Sequence, residues 1–402
     1  MINGKRFLFS HKSRLCKIPA VAARAVSVML CLLLTFALIP TASAEEAANT
    51  LDINAQSAVL MDAGSGDVLY TLNPHDHLQI ASVTKVMTLL IIMEALHTQR
   101  ITLDEIVTAS EYACSMGGSQ IYLEPGEQMS VSDMIKAIAV ASANDASVAM
   151  AEHIMGSAPA FVNAMNTRAK ALGMKNTNFV NCNGLDAENQ YSCAYDVALM
   201  SRELLKHDAI KSYLTIWMDT LRNGEFGLAN TNKLVRFYQG TIGIKTGSTD
   251  DAKYCLSAAA ERNGLTLIAV VLAAPSSSDR FEGAKKLLDY GFANYSVVSG
   301  AEKGTSYGTI RVSKGEEKEV EAVVGESFNK LIPKDKKGSL EIKPKLPESV
   351  SAPLKAGDKV GELEIFVDGK KIGSTNLVAK TAVPRIRLWN MFISIIRMWS
   401  MV

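Results

Sequence analysis

Ser82-Val83-Thr84-Lys85 places a hydroxyl three residues ahead of an amine. At the start of a helix those two positions share a face, so the side chains can meet. A serine is a weak nucleophile and needs a base to take its proton. Lysine serves only when neutral, and at its ordinary pKa about one in 2,500 is neutral at pH 7. Burial, the helix N-terminal dipole and a second nearby cation each lower that pKa. Ser142-Ala143-Asn144 sets a hydroxyl and an amide two residues apart on a tight bend between helices, suited to proton relay and hydrogen bonding in one cleft. Lys245-Thr246-Gly247 follows Ile242 and Ile244, which places it on an edge strand beside the helix bearing Ser82. A lysine and a threonine hydroxyl there could hold a substrate carboxylate. Gly247 would let an acyl group lie against the backbone and expose the N–H of Ser248.

Taken singly, two of these motifs are weak. A second S-x-x-K spans Ser327 to Lys330, and S-x-N recurs at Ser327-Phe328-Asn329 and Ser374-Thr375-Asn376, all in β-type sequence where no chemistry is expected. Lys245-Thr246-Gly247 occurs once.

The elements that must carry these residues follow from periodicity. Ala58 to Asp62 and Asp67 to Leu72, around Ala63-Gly64-Ser65-Gly66, predict a β-hairpin. Helical patterns run through Ser82 to Leu96, Val131 to Met155, Ala158 to Leu172 and Asp196 to Leu205. Strand patterns return at Lys253 to Ala260 and Leu265 to Ala273, then a helix from Arg280 to Tyr295. This order predicts an α+β domain whose sheet joins both ends of the segment. After about Val298, short β-type runs alternate with Gly, Pro and Lys turns, predicting a small all-β domain. The Lys-dense stretch Lys334 to Lys345 is expected to be a solvated hairpin.

The 402 residues, formal charge of +1 and 48% hydrophobic composition suit two or three domains and exclude the large basic footprint of a nucleic-acid binder. Lys5, Arg6, Lys12, Arg14, Lys17 and Arg24 precede an apolar run over 25–40 and then Ala42-Ser43-Ala44. This is the pattern of a secretory signal cleaved after Ala44. From Arg385 to Val402 a helix would put Arg387, Asn390, Ser394 and Arg397 on one stripe and Leu388, Trp389, Phe392, Ile395, Ile396 and Trp399 opposite it. Such a helix lies in the membrane interface. The expected boundaries are therefore a signal over 1–44, an α+β domain over 45–297, a β domain over 298–380 and an amphipathic anchor over 381–402. Cys182 and Cys193 flank one loop and could pair or remain small buried thiols, and no zinc spacing appears among Cys and His.

The three motifs in this order are the signature of the serine penicillin-recognising enzymes. The stretches AVLMDAGSGDVLY (58–70), ASVTKVMT (81–88), ASANDASVAMAEHI (141–154), LGMKNTNFVNCNGLD (172–186), YSCAYDVA (191–198) and GIKTGSTDDAKYCLSAAA (243–260) resemble low-molecular-weight penicillin-binding D-alanyl-D-alanine carboxypeptidases. The likeness covers nearly the whole chain after the signal. It departs at Ile80, where Pro is expected, and at Ala143 and Lys253, where Gly is usual. Lys253 is expected to alter the strand after Lys245-Thr246-Gly247.

The resemblance implies a β-lactamase/transpeptidase-like domain, an antiparallel sheet flanked by helices, followed by the β domain and the terminal helix. It implies that Ser82 attacks the carbonyl between two D-alanines while Lys85 takes its proton. The N–H groups of Ser82 and Ser248 would form the oxyanion hole, next to Gly247. Ser142, helped by Lys245, would return a proton to the leaving D-alanine. Asn144 would orient Lys85, and Lys245 and Thr246 would bind the terminal carboxylate. No metal or cofactor is implied. The implied partners are peptidoglycan stem peptides ending in D-Ala-D-Ala, β-lactams as inhibitors and, through the terminal helix, the outer face of the bacterial cytoplasmic membrane.

Three rival readings fit less well. A β-lactamase is disfavoured because no E-x-x-L-N stretch is found, a penicillin sensor because no transmembrane signalling segment is found, and an inactive scaffold because Ser82, Lys85, Ser142 and Lys245 are intact.

Overall fold

Leu265–Ala274 reads LTLIAVVLAA, apolar at nearly every position because both faces of this strand are covered. The structure, a computed structural model, describes residues 51–336 and 338–387, so the expected leader and all of the terminal helix beyond Arg387 lie outside the described residues. Besides shorter elements, the first domain includes, in chain order, β1 (Ser57–Asp62), β2 (Val68–Leu72), α1 (Lys85–His97), α2 (Val131–Lys136), α3 (Asn144–Met155), α4 (Ala158–Ala171), α5 (Ala194–Leu205), β3 (Thr241–Thr249), β4 (Lys253–Arg262), β5 (Leu265–Ala274) and α6 (Ser277–Asn294).

The five strands form one antiparallel sheet in the order β2-β1-β5-β4-β3, with β1 paired to β5 through Ala58↔Val271 and Leu60↔Ala269. The two ends of the segment therefore meet in one sheet, as the element order predicts. Alternation sorts the side chains to the two faces. Val59, Met61, Ile268 and Val270 pack into the helical core with α1 and α3, while Ala58, Leu60, Leu267 and Ala269 pack against Phe281, Leu287 and Leu288 of α6. α1 is buried all round from Lys85 to Met93, which is why its sequence is apolar without a polar face.

Helical periodicity from Val131 to Met155 does not give one helix. The chain passes from α2 into a π-helical turn over Ala137–Ala141, then turns at Ser142 (φ 64°) before α3 begins. A single π turn adds one residue to the helix without changing its apolar composition.

β4 is irregular at Lys253: its register against β5 shifts between Tyr254 and Leu256. Lys253 opens the strand, pairs with Thr249, and itself adopts a left-handed backbone (φ 55°) with its Nζ on the carbonyl of Asp250 at 2.6 Å. A side chain at such a φ costs about 1 kcal/mol relative to glycine. Lys253→Gly should raise the urea midpoint of unfolding accordingly, and a lower midpoint would show that the side chain's own contacts outweigh the strain.

The second domain is all β. Six strands follow the order β10-β12-β13-β8-β7-β11, from β7 (Ser306–Ser313), β8 (Glu319–Val324), β10 (Leu340–Lys345), β11 (Ser349–Ser351), β12 (Lys359–Val367) and β13 (Lys370–Ala379). A separate pair joins β6 (Tyr295–Ala301) to β9 (Phe328–Pro333). The expected boundary at 297/298 thus falls inside a strand. The Lys-dense stretch is also not a hairpin: Leu340–Lys345 is an edge strand along β12, where exposed lysines discourage further pairing. The C-terminal boundary moves too. Val383 pairs with Leu354, Arg385 bridges to Gly315, and Ile386 N donates to the Lys314 carbonyl, so residues 383–386 belong to the β domain. Among the described residues no helix is long and apolar enough to cross a membrane.

Candidate active site

The turn Ala81–Thr84 is a 3-10 helix that runs directly into α1, so Ser82 and Lys85 stand one turn apart on the same face. Lys85 Nζ lies 2.9 Å from Ser82 Oγ and 2.5 Å from both Asn144 Oδ1 and the Asn183 carbonyl. The lysine is fully buried, and that burial lowers its pKa to about 7, against the opposing pull of Cys182 and Asp145. The orientation of the Asn144 amide is fixed from its other end, where Nδ2 donates to the Gly117 carbonyl at 2.7 Å. Asp145, also fully buried, accepts from the N–H groups of Ile121 and Leu123, which holds the neighbouring loop against this corner. Ser142 is buried at the left-handed corner two residues before Asn144.

Lys245-Thr246-Gly247 lies on β3, an edge strand packed on the turn that carries Ser82. Lys245 is buried, and its pKa is pushed well below the usual lysine value by burial and then by the positive charges of Lys85 and Arg280. Thr246 Oγ1 donates to Thr231 Oγ1 at 2.7 Å. A Cβ on Gly247 would sit 2.7 Å from the Ile80 carbonyl and 2.9 Å from Ser82 N, so only glycine lets the strand approach the nucleophile. Ser248 follows, exposed. The motifs meet beside the edge of the sheet: Asn144 reaches Lys85, and β3 packs on the turn that carries Ser82.

Ser327 and Lys330 are not part of it. Ser327 Oγ accepts from Lys303 N and Lys330 Nζ donates to the Ile372 carbonyl, both in the β domain.

Residues 42–276 match the family model described as D-alanyl-D-alanine carboxypeptidase. The chain belongs to the D-alanyl-D-alanine carboxypeptidase family. Residues 295–385 match the model for the penicillin-binding protein 5 C-terminal domain, so the β domain is shared as well. D-alanyl-D-alanine carboxypeptidase DacF of Bacillus subtilis (strain 168) is 42% identical over 356 residues, covering 87% of this chain and 91% of that one. Penicillin binding protein 5 from Haemophilus influenzae is 34% identical, with a TM-score of 0.69 over 84% of this chain and 99% of that one. Penicillin-binding protein D2 from Listeria monocytogenes, solved in an ampicillin-bound form, is 32% identical, with a TM-score of 0.54 over 60% of this chain and 99% of that one.

The surroundings of Lys85 and Gly247 also contain residues that the motifs do not announce. Asn183 contributes only its carbonyl, which any residue possesses. The nearest sequence signal is the Asn183-Gly184 turn pair: Gly184 (φ 86°) packs so closely that a Cβ would meet the Ala81 carbonyl at 2.0 Å. Thr231 and Arg280 act from behind β3, through Thr246 and through the Gly247 carbonyl at 2.9 Å. The cysteine question resolves to thiols: Cys114, Cys182, Cys193 and Cys255 are all free. Burial pushes the Cys182 thiol up to about 12, which leaves it inert as a nucleophile.

Proposed function

We propose that this carboxypeptidase releases the terminal D-alanine of peptidoglycan stem peptides through an acyl-enzyme on Ser82, with Lys85 as the base. The contact set of Lys85 carries this reading. A neutral amine has two N–H donors and one lone pair. Asn144 Oδ1 and the Asn183 carbonyl can only accept, so they take the two N–H groups and leave the lone pair facing Ser82 Oγ. Ser82 Oγ adds to the carbonyl between the two D-alanines as Lys85 accepts its proton. The N–H groups of Ser82 and Ser248 receive the developing oxyanion, and the loss of one such donor typically costs about 10²–10³ in rate. The C–N bond then breaks as Ser142, helped by Lys245, passes its proton to the departing amine and recovers one from protonated Lys85, which is neutral again. Water attacks the ester with Lys85 again as base and frees the shortened peptide.

Lys245 and Thr246 hold the terminal carboxylate. Among the described residues Lys245 forms no ion pair, and the charges of Lys85 and Arg280 oppose its own, so a substrate carboxylate relieves its environment and draws a proton onto it. Lys245→Ala should lower kcat/KM for D-alanine release by about 10–100-fold, the equivalent of a charged hydrogen bond of about 1.5–3 kcal/mol. Release from a Lys-D-Ala-D-Ala peptide at the wild-type rate would remove the carboxylate pocket from the mechanism. Trapping the Ser82 ester by mass spectrometry during turnover tests the wider proposal, and D-alanine release without it would end it.

We infer export through the 1–44 signal and peripheral attachment to the membrane surface through the amphipathic terminal segment. Because 383–386 are bonded into the β domain, the discriminating truncation removes 388–402. It should transfer the protein from the membrane fraction to the soluble one with D-alanine release unchanged. A truncated protein that remained on the membrane would exclude the anchor.

A further inference from the structure

Arg280 stands near the start of α6 and is only 8% exposed, yet every hydrogen bond of its guanidinium goes to an uncharged acceptor. Nη1 donates to the carbonyls of Gly247 at 2.9 Å and Cys255 at 3.4 Å, and Nη2 to Ser277 Oγ at 3.3 Å. Nε is buried without a partner among the described residues. The rings of Tyr254 and Phe281 lie 5.4 and 4.9 Å from its Cζ, which fixes the plane of the group. Among the described residues no carboxylate pairs with this buried cation, and burying an unpaired charge is unfavourable, so packing alone is a poor account of it.

Its principal acceptor has a particular position. Gly247 and Cys255 are partners in the β3–β4 register, so one guanidinium clamps two paired carbonyls on adjacent strands. The Gly247 carbonyl and the Ser248 N–H belong to the same peptide group. Glycine leaves that peptide free to rotate, while the distances around Gly247 put its front face against Ser82 N. A cation on the oxygen of an amide also draws charge from its N–H and strengthens it as a donor.

We propose that Arg280 is a positioning residue for the reaction: by holding the Gly247 carbonyl from behind, it aims and strengthens the Ser248 N–H in the oxyanion hole. This rests on the assignment of that N–H as an oxyanion donor. Arg280 touches no substrate atom; it acts through the peptide it grips.

The test uses the full-length protein as wild type, Arg280→Met, Arg280→Lys and Ser82→Ala. Labelled penicillin titrates the active fraction, so that misfolding does not count as loss of rate. Arg280→Met should lower kcat for D-alanine release per active site by about 10²-fold, with KM changed far less. The infrared stretch of the penicilloyl ester should move to higher frequency, because the oxyanion hole polarises that carbonyl less. Arg280→Lys keeps the charge but not the fork, and should fall between wild type and Met on both readouts. It also decides the matter if Arg280→Met does not fold. A wild-type ester frequency or wild-type kcat in either folded variant overturns the clamp, since a merely structural arginine changes the active fraction and not the ester. Penicillin label on Ser82→Ala would instead refute the site assignment itself, independently of Arg280.

Discussion

Ser82→Ala should abolish covalent labelling by penicillin and cut D-alanine release by about 10⁶-fold, the scale on which loss of a catalytic serine is felt. Ser327→Ala should leave both at wild-type levels. The two serines share the S-x-x-K spacing but not the surroundings. Ser82 faces an amine held by two carbonyl acceptors, while Ser327 is tied to the Lys303 N–H and its own lysine is spent on the Ile372 carbonyl. Gel fluorescence of labelled penicillin on the purified variants is the measurement. Label on Ser82→Ala would overturn the assignment, and its loss from Ser327→Ala would show that the second motif matters.

Acylation should fall as acid is added, because the neutral form of Lys85 is the active one. Burial places its pKa at about 7, so kcat/KM rises about tenfold per unit below pH 7 and levels off above it. Half-neutral at pH 7 instead of about one part in 2,500, the base gains about 10³ in effective concentration. Lys85→Ala should lose about 10²–10⁴ in the acylation rate. A flat profile between pH 5 and 9, or wild-type labelling of Lys85→Ala, would eliminate lysine as the base. The same burial opposes folding. An unfolded lysine keeps its proton up to its ordinary pKa, so unfolding takes up a proton between pH 7 and that value and this opposition weakens as pH rises through the window. Lys85→Met should therefore be inactive and more stable at pH 7, by about 0.5–2 kcal/mol, seen as a raised melting temperature.

What was legible in the sequence was whatever side chains carry. Ser82 and Lys85 share a helix face, the hydroxyl and amide of Ser142 and Asn144 straddle a bend, and Lys245-Thr246-Gly247 follows a strand pattern; each is a statement about side-chain type and spacing. One of the two acceptors that hold Lys85 is a backbone carbonyl, at Asn183, and Arg280 works on another, at Gly247. Composition is silent about both. The break at Ser142 was foreseen as a bend, but not the π turn before it, since Ala137–Ala141 remain apolar in either geometry. The domain boundary was misplaced because β6 continues straight out of α6, with no turn residue at the junction. The lysines of 334–345 read as a solvated hairpin because an edge strand is exposed almost as fully as a hairpin is.

The backbone bonds at the end of the described chain have a mechanical meaning. Pro384 accepts from Glu316 N, Ile386 donates to Lys314, and Val383 and Leu354 exchange both of their bonds. Tension applied at the C-terminal end is thus taken up by several bonds at once and spread through the sheet of the β domain. Along the covalent chain it reaches the catalytic domain only through Tyr295, where β6 leaves α6. The β domain would serve as a strain relief for the cleft: a pull on the tail loads the ladder beside Gly315 before it can alter the 2.9 Å between Ser82 and Lys85.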